Sequence, residues 1–223
     1  MMEIAATRLR KPQDRPLPPP GGLKAELSAL KKERILAAAT RLFRHHGYSG
    51  CSMDEIAAAI GVSKPYIYYQ FRDKQAILAE ISSHGAKLTL SAIDEALKRD
   101  EPAAAAMHWF CRRLTGIVID HSEYLAVYLR ETSNLNEANY KKIMRLRALS
   151  DARVGQLVER GVKSSEFAVE DPMIAVKAVT AMISYSFQFY RADGPSARER
   201  FIAIMSDIAM RTLQMQPWRD ESR

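Results

Sequence analysis

Within a dozen residues the chain sets Ser63, Lys64, Pro65, Tyr66, Tyr69 and Lys74. Their chemistry is recognition. A lysine ammonium can bond guanine O6 and N7 or a phosphate, and a proline or tyrosine face can touch a thymine methyl. Slightly upstream, Ser52 and Met53 begin a helix whose N–H groups and dipole suit a phosphate. The competing reading is a tyrosine-rich face used only for packing.

The elements around these residues narrow the choice. Ser52 stands three residues before Glu55, the spacing of a capping box. The helix it opens carries Ile56, Ala57 and Ile60 on one face, and Gly61 supplies its C-terminal turn. Ser63 is a second N-cap candidate, and Pro65 falls in the first turn of the next helix, where a missing N–H costs little. Ile67 and Phe71 point inward, and the Tyr68–Phe71 spacing assigns Tyr68 to the core. Helix, short glycine turn, short helix is a helix-turn-helix, with polar tips on the second helix that suit a major groove.

The string GVSKPYIYYQFRDKQAIL, Gly61 to Leu78, resembles the DNA-binding motif of TetR/AcrR transcriptional regulators, approximately GVSKGTLYYYFxSKExL. The stretch Ile35 to Ile60 is similar to that family's first helix and its Gly-Tyr turn. The resemblance covers about residues 31–80. It implies that Ser63 to Tyr66 face the major groove and that Tyr69 and Lys74 grip the backbone. Pro65 and Gln70 depart from the motif on the DNA side, which affects operator sequence rather than function.

Charge agrees with a nucleic-acid partner. Of the net +7, residues 1–80 carry +5 and the remainder +2. A phosphate backbone rewards such an excess through counterion release, although a solvated face would look the same. Residues 1–24 read as a disordered basic arm around Pro16–Pro20. Two cysteines, Cys51 and Cys111, form no disulfide framework, and no apolar run reaches membrane-spanning length. A cytoplasmic protein with no membrane attachment and no cofactor is expected.

From Leu23 onward the sequence reads as helix, so the fold class is all-α with about nine helices. The expected divisions are 25–78 for the helix-turn-helix domain, 79–215 for a larger helical domain, and 216–223 for a tail. Asp73 caps a long helix to about Leu97, Asp171-Pro172 opens one to about Tyr190, and Ser196 caps the last. Leu30 and Leu149 sit on the inward stripes of their helices.

The larger domain shows no catalytic signature. His108 and Cys111 at i, i+3, with Asp120 and His121 beyond, suggest a metal, but no fourth ligand is fixed, and no metal is expected. An organic pocket is favoured, drawn from Trp109, Phe110, Tyr124, Tyr128, Met144, Tyr185 and Phe189 with Arg130 and Arg147 for an anion. Ordinary core is the bland reading for each. One recognition helix reads too little DNA, so a homodimer on a near-palindrome follows. Its interface is expected on the last two helices, from Val176, Val179, Ile183, Phe187, Phe201, Met205 and Ile208.

The run Phe189-Tyr190-Arg191-Ala192-Asp193-Gly194 is similar to the WYRPDG string of TetR-type regulators of fatty-acid and sterol catabolism. That resemblance implies an acyl-CoA-like effector and a double-stranded operator as partners, and release of DNA on effector binding. A helical-bundle enzyme, or a metal-responsive regulator without an organic effector, is the alternative.

Overall fold

The computed structural model describes residues 22–194 and 196–214, with side chains from residue 25. The proline-rich arm and the tail therefore lie outside the described residues. Within them the chain forms nine α-helices and no strand. These are α1 (Gly22–His46), α2 (Met53–Ala59), α3 (Lys64–Gln70), α4 (Lys74–Leu97), α5 (Ala103–Asp120), α6 (Ser122–Glu131), α7 (Glu137–Lys163), α8 (Pro172–Tyr185) and α9 (Ala197–Gln214).

Side-chain caps fix four of the nine starts, those of α2, α4, α7 and α8. Asp73 accepts from the Ala76 N–H at 2.7 Å, Asn136 from Asn139 at 2.9 Å, and Asp171 from Met173 and Ile174 at 2.8 and 3.0 Å. Each satisfies orphan N–H groups of a first turn. α5 starts at Pro102, which has no cap side chain. Glu166, more than sixty residues later, accepts from the Ala103 and Ala104 N–H groups instead.

Two hydrophobic clusters form. The first joins α1, α2, α3 and the start of α4 through Ile35, Phe43, Ile56, Ile67 and Ile77, all without solvent contact. The second surrounds α5, whose Met107, Phe110 and Leu114 meet Val158 of α7, Val176 of α8 and Ala209 of α9. α4 serves both, with Ile77 and Ile81 in the first and Ala92 and Ile93 in the second. Val127 of α6 is buried in the first cluster although its helix belongs to the larger unit.

Four expectations need correction. α8 ends at Tyr185, not near Tyr190, because the chain tightens into a 3₁₀ turn over Ser186–Gln188. That turn swings Phe189 and Tyr190 onto the Phe201 ring, at 5.9 and 5.1 Å between centroids. Leu30 and Leu149 are exposed rather than inward. The Ser63 side chain makes no cap hydrogen bond. Tyr68 is exposed, because Ile67 and Phe71 already fill the inward face of the short α3.

Candidate functional site

The helix-turn-helix is built by local bonds. The Ser52 Oγ accepts from the Glu55 N–H at 3.1 Å, and the Glu55 carboxylate accepts from the Ser52 N–H at 2.7 Å. That Ser52 N–H, and after it the Ser52 hydroxyl donating to the same carboxylate at 2.8 Å, hold the Glu55 carboxyl below its ordinary range. Ser52 is thus engaged in the cap while remaining exposed, and Met53 is buried. At the far end of α2, Val62 N–H bonds Ala57 C=O at 3.1 Å and Gly61 N–H bonds Ala58 C=O at 3.2 Å. This is a Schellman turn, and Gly61 sits in it at φ +67°. No atom lies within 4 Å of a Cβ added there, so backbone conformation alone calls for glycine.

α3 then presents Ser63, Lys64, Pro65, Tyr68 and Tyr69 to solvent, Tyr69 with 83% of its surface free. Lys64 Nζ lies 2.9 Å from Asp54 Oδ2, an exposed pair that ties α3 to α2 and raises the ammonium pKa through the hydrogen bond. Tyr66 is half-buried against the first cluster, with Lys31 Nζ 5.8 Å from its ring centre. Lys74 donates to Tyr48 C=O at 2.7 Å and also to Cys51 C=O, with Nζ 4.3 Å from the Tyr48 ring centre. It pins the start of α4 to the α1–α2 turn rather than extending outward.

A cavity of about 580 Å³ lies among α4, α5, α6, α7 and α8. Its floor is apolar: Leu114, Ile117, Val118 and Val154. α6 contributes Leu125, Tyr128 and Leu129 as one wall, and α4 contributes Ser82, Gly85, Ala86 and Thr89. Cations stand at the lip. Arg147 Nη1 donates to the Tyr128 hydroxyl at 2.6 Å, and Lys177 pairs with Asp151. Burial of the apolar part with a few convergent polar groups is the usual make-up of a small-molecule site.

The opposite face of α6 packs on the helix-turn-helix unit. Arg44 pairs with Glu123 at 3.0 Å, and Arg130 donates to Arg44 C=O at 2.8 Å while meeting the buried Glu131 at 3.3 Å. Tyr124 packs against the first cluster and stacks on His84, ring centres 4.4 Å apart. His84 Nε2 in turn meets His121 Nδ1 at 3.1 Å, and His121 lines the cavity. Gln75 of α4 holds the α6–α7 connection by the Asn134 C=O and, at 3.2 Å, the Asn136 N–H.

Of the nine pocket residues expected from sequence, Tyr128, Met144, Arg147 and Tyr185 line the cavity. The other five lie elsewhere. Phe110 is enclosed in the second cluster, Trp109 sits on the α5 surface under Arg99, and Phe189 packs on Phe201. Tyr124 and Arg130 belong to the joint on α1. Missed were His121, Lys177, Ser184 and the small residues of α4. Their spacing of 82, 85, 86 and 89 was a legible helical stripe of small side chains. Of the seven residues expected at the dimer interface, Val176, Val179, Ile183 and Met205 are buried within the monomer, Phe187 in the 3₁₀ turn and Phe201 on α9 are half-buried, and Ile208 alone is exposed. Exposed instead are Ile174, Tyr185 and Ile204.

Among the described residues no three His, Cys, Asp or Glu side chains gather as a metal site. His108 faces Asp207 at 3.7 Å, and Cys111 is enclosed, its thiol pushed up to about 12 by burial. No described helix is long and apolar enough to cross a membrane.

A helix-turn-helix with an exposed second helix, joined to a helical domain that holds an organic-sized cavity, is the layout of a DNA-binding transcriptional regulator. Two family models match the chain: "Bacterial regulatory proteins, tetR family" over residues 35–81, and "Tetracyclin repressor-like, C-terminal domain" over 100–213. The chain belongs to the TetR family of DNA-binding transcriptional regulators. It is 24% identical to the HTH-type transcriptional repressor NicS of Pseudomonas putida, across 86% of this chain and 97% of that one. The regulator PfmR from Thermus thermophilus shares its fold with a TM-score of 0.71 at 28% identity, covering 82% of this chain and all of PfmR. AibR, solved with isovaleryl coenzyme A and operator DNA, shares the fold at 19% identity and a TM-score of 0.66, covering 80% of this chain and 97% of AibR.

Proposed function

We propose that the chain is a homodimeric repressor that reads a near-palindromic operator and releases it when a small hydrophobic effector fills the cavity. Ser63, Lys64, Pro65, Tyr66 and Tyr69 form the reading edge, with the backbone at Ser52 and Met53 beside it. Two such edges must stand about 34–36 Å apart, or a compatible multiple. The apolar face left exposed by α8 and α9 is the dimer contact. An acyl thioester of coenzyme A is the effector class that this reading favours. The apolar floor suits an acyl chain, and Arg147 and Lys177 at the lip suit its anionic part. AibR, a protein of this fold, binds such a thioester.

The observation that carries the mechanism is the double use of α6. Leu125, Tyr128 and Leu129 face the cavity while Tyr124, Val127 and Arg130 hold the DNA-reading unit. An effector that fits one α6 position better than another shifts α6 and α4, and with them the spacing of the two reading edges. Differential affinity for two arrangements is what such coupling requires.

The test is gel retardation of the DNA beside the chain's own gene, at low salt, with and without a panel of acyl-CoAs. Specific retardation is expected, relieved by at least one thioester that also raises the melting temperature. No retardation sinks the regulator's operator reading. Retardation unmoved by any thioester sinks the acyl-CoA class alone.

A further inference from the structure

We propose that the effector carries a hydrogen-bonding oxygen, a hydroxyl or carbonyl, on the part that enters the cavity, and that the Ser82 hydroxyl reads it; this deepens the effector reading above and rests on it. Ser82 lines the cavity from α4 and is only 5% exposed. Its Oγ is buried without a hydrogen-bond partner. Among the described residues Thr40, Asn139 and Ser186 also hold such an atom, and none of those three lines the cavity.

Three other hydroxyls of the wall behave differently. Thr89 donates to Gly85 C=O at 2.9 Å, Thr180 to Val176 C=O at 2.7 Å, and Ser150 to Leu146 C=O at 3.1 Å. Each turns back on its own helix, four residues earlier, and so is satisfied without a ligand. Ser83, next along α4, bonds Glu80 C=O at 3.1 Å. At Ser82 an alanine would suit both the helix and the burial better, so the fold itself does not call for the hydroxyl. Placement gives it a use. Arg147 and Lys177 are exposed at the lip, whereas Ser82 is buried one residue past Ile81 of the first cluster. His121, held by its 3.1 Å bond to His84, puts a second polar side chain in the wall two residues further along α4. A ligand anchored at the lip by its anionic end therefore meets a buried donor with its apolar part. A saturated chain leaves that donor unbonded, while an oxygen on the chain accepts from it.

The test pairs each saturated acyl-CoA with hydroxy and oxo counterparts of the same length, titrated calorimetrically into the full chain. At least one oxygenated member is expected to bind about tenfold or more tightly than its saturated partner, the effect of one hydrogen bond in a buried site. In Ser82→Ala that preference is expected to shrink to within about twofold. Equal affinities in the native chain overturn the proposal. So does a preference that survives Ser82→Ala, since another group then reads the oxygen. If no thioester binds, the acyl-CoA class fails, and the same pairs as free acids decide. A preference there that depends on Ser82 upholds the proposal; equal binding or none overturns it. A second measurement needs no effector. Ser82→Ala and Ser150→Ala make the same change in helix propensity, so their difference in melting temperature reads the hydroxyl bonds. Ser82→Ala is expected to melt roughly 2–4 °C above Ser150→Ala. If it melts at or below Ser150→Ala, the fold was using the Ser82 hydroxyl, and the proposal falls.

Discussion

His84 Nε2 lies 3.1 Å from His121 Nδ1, which places a single hydrogen bond between the cavity wall and the ring stacked on Tyr124. One ring donates and the other accepts, so the arrangement suits at most one positive charge. Burial pushes the His84 pKa below its ordinary value, and His121 and Lys87 push it further. Glu80 and Glu33 oppose that shift without reversing it.

The sign of the pH effect follows. His84 loses its proton more readily in the fold than in the unfolded chain, so the unfolded state binds more protons near neutrality. Stability is present above the ordinary histidine pKa of about 6.5 and declines as pH falls through it. The melting temperature is expected to drop between pH 8 and pH 5.5, and His84→Gln is expected to flatten part of that drop. An unchanged slope in the variant would show that the pair does not titrate with folding.

Glu166 supplies the cap that Pro102 cannot. Its carboxylate accepts the Ala103 and Ala104 N–H groups and the Ser164 hydroxyl, and these bonds, the Ser164 one first, hold its pKa below the usual carboxylate range. Its stabilisation is therefore full above the unfolded pKa and lost as pH falls through the folded one. Glu166→Gln is expected to lower the melting temperature by roughly 2–4 °C, the shift for one lost helix cap. It is also expected to leave operator affinity unchanged, because Glu166 is remote from α3. Thermal scans at pH 7 and pH 4 check both the size and the direction.

Gly161 is used for close approach. The Phe167 ring lies against it, and both Glu166 and Phe167 N–H groups bond its carbonyl at 2.8 and 3.1 Å. A Cβ added at Gly161 would collide with that ring. Gly161→Ala is expected to cost about 1–3 kcal/mol, as overpacking does. Urea denaturation measures it, and a loss under about 0.5 kcal/mol, of the order of ordinary surface substitutions, would show that the turn simply gives way.

What was readable in the sequence was local. Ser52–Glu55, Asp73 and Asp171 cap helices because the bonds involve neighbours three residues apart or fewer. The Glu166 cap was not readable, since its partners are far along the chain. The cavity misled for a physical reason. Aromatic residues such as Phe110 fill space, whereas a cavity forms where side chains are too small to do so, as at Gly85 and Ala86. The outer face of α8 was hidden likewise. Val176 and Ile183 are as apolar as Ile174, and only their position relative to α5 separates core from surface.

On the proposed operator reading, Tyr69 and Lys64 make two kinds of contact. Tyr69 is the most exposed large side chain among the described apolar and aromatic residues. Tyr69→Ala is expected to weaken operator binding by roughly tenfold or more with no change in melting temperature. Lys64 is held by Asp54 in the free protein, an exposed pair whose net worth is small. Removing the carboxylate frees the ammonium and takes a negative charge off the DNA face. Asp54→Asn is therefore expected to tighten binding several-fold. Lys64→Ala is expected to loosen it and to reduce the slope of log affinity against log salt by about one, the signature of one lost phosphate contact. Titrations of each variant at three salt concentrations separate the two roles. If Lys64→Ala weakens binding with an unchanged slope and relaxed preference at one base pair, the lysine reads a base edge instead of the backbone.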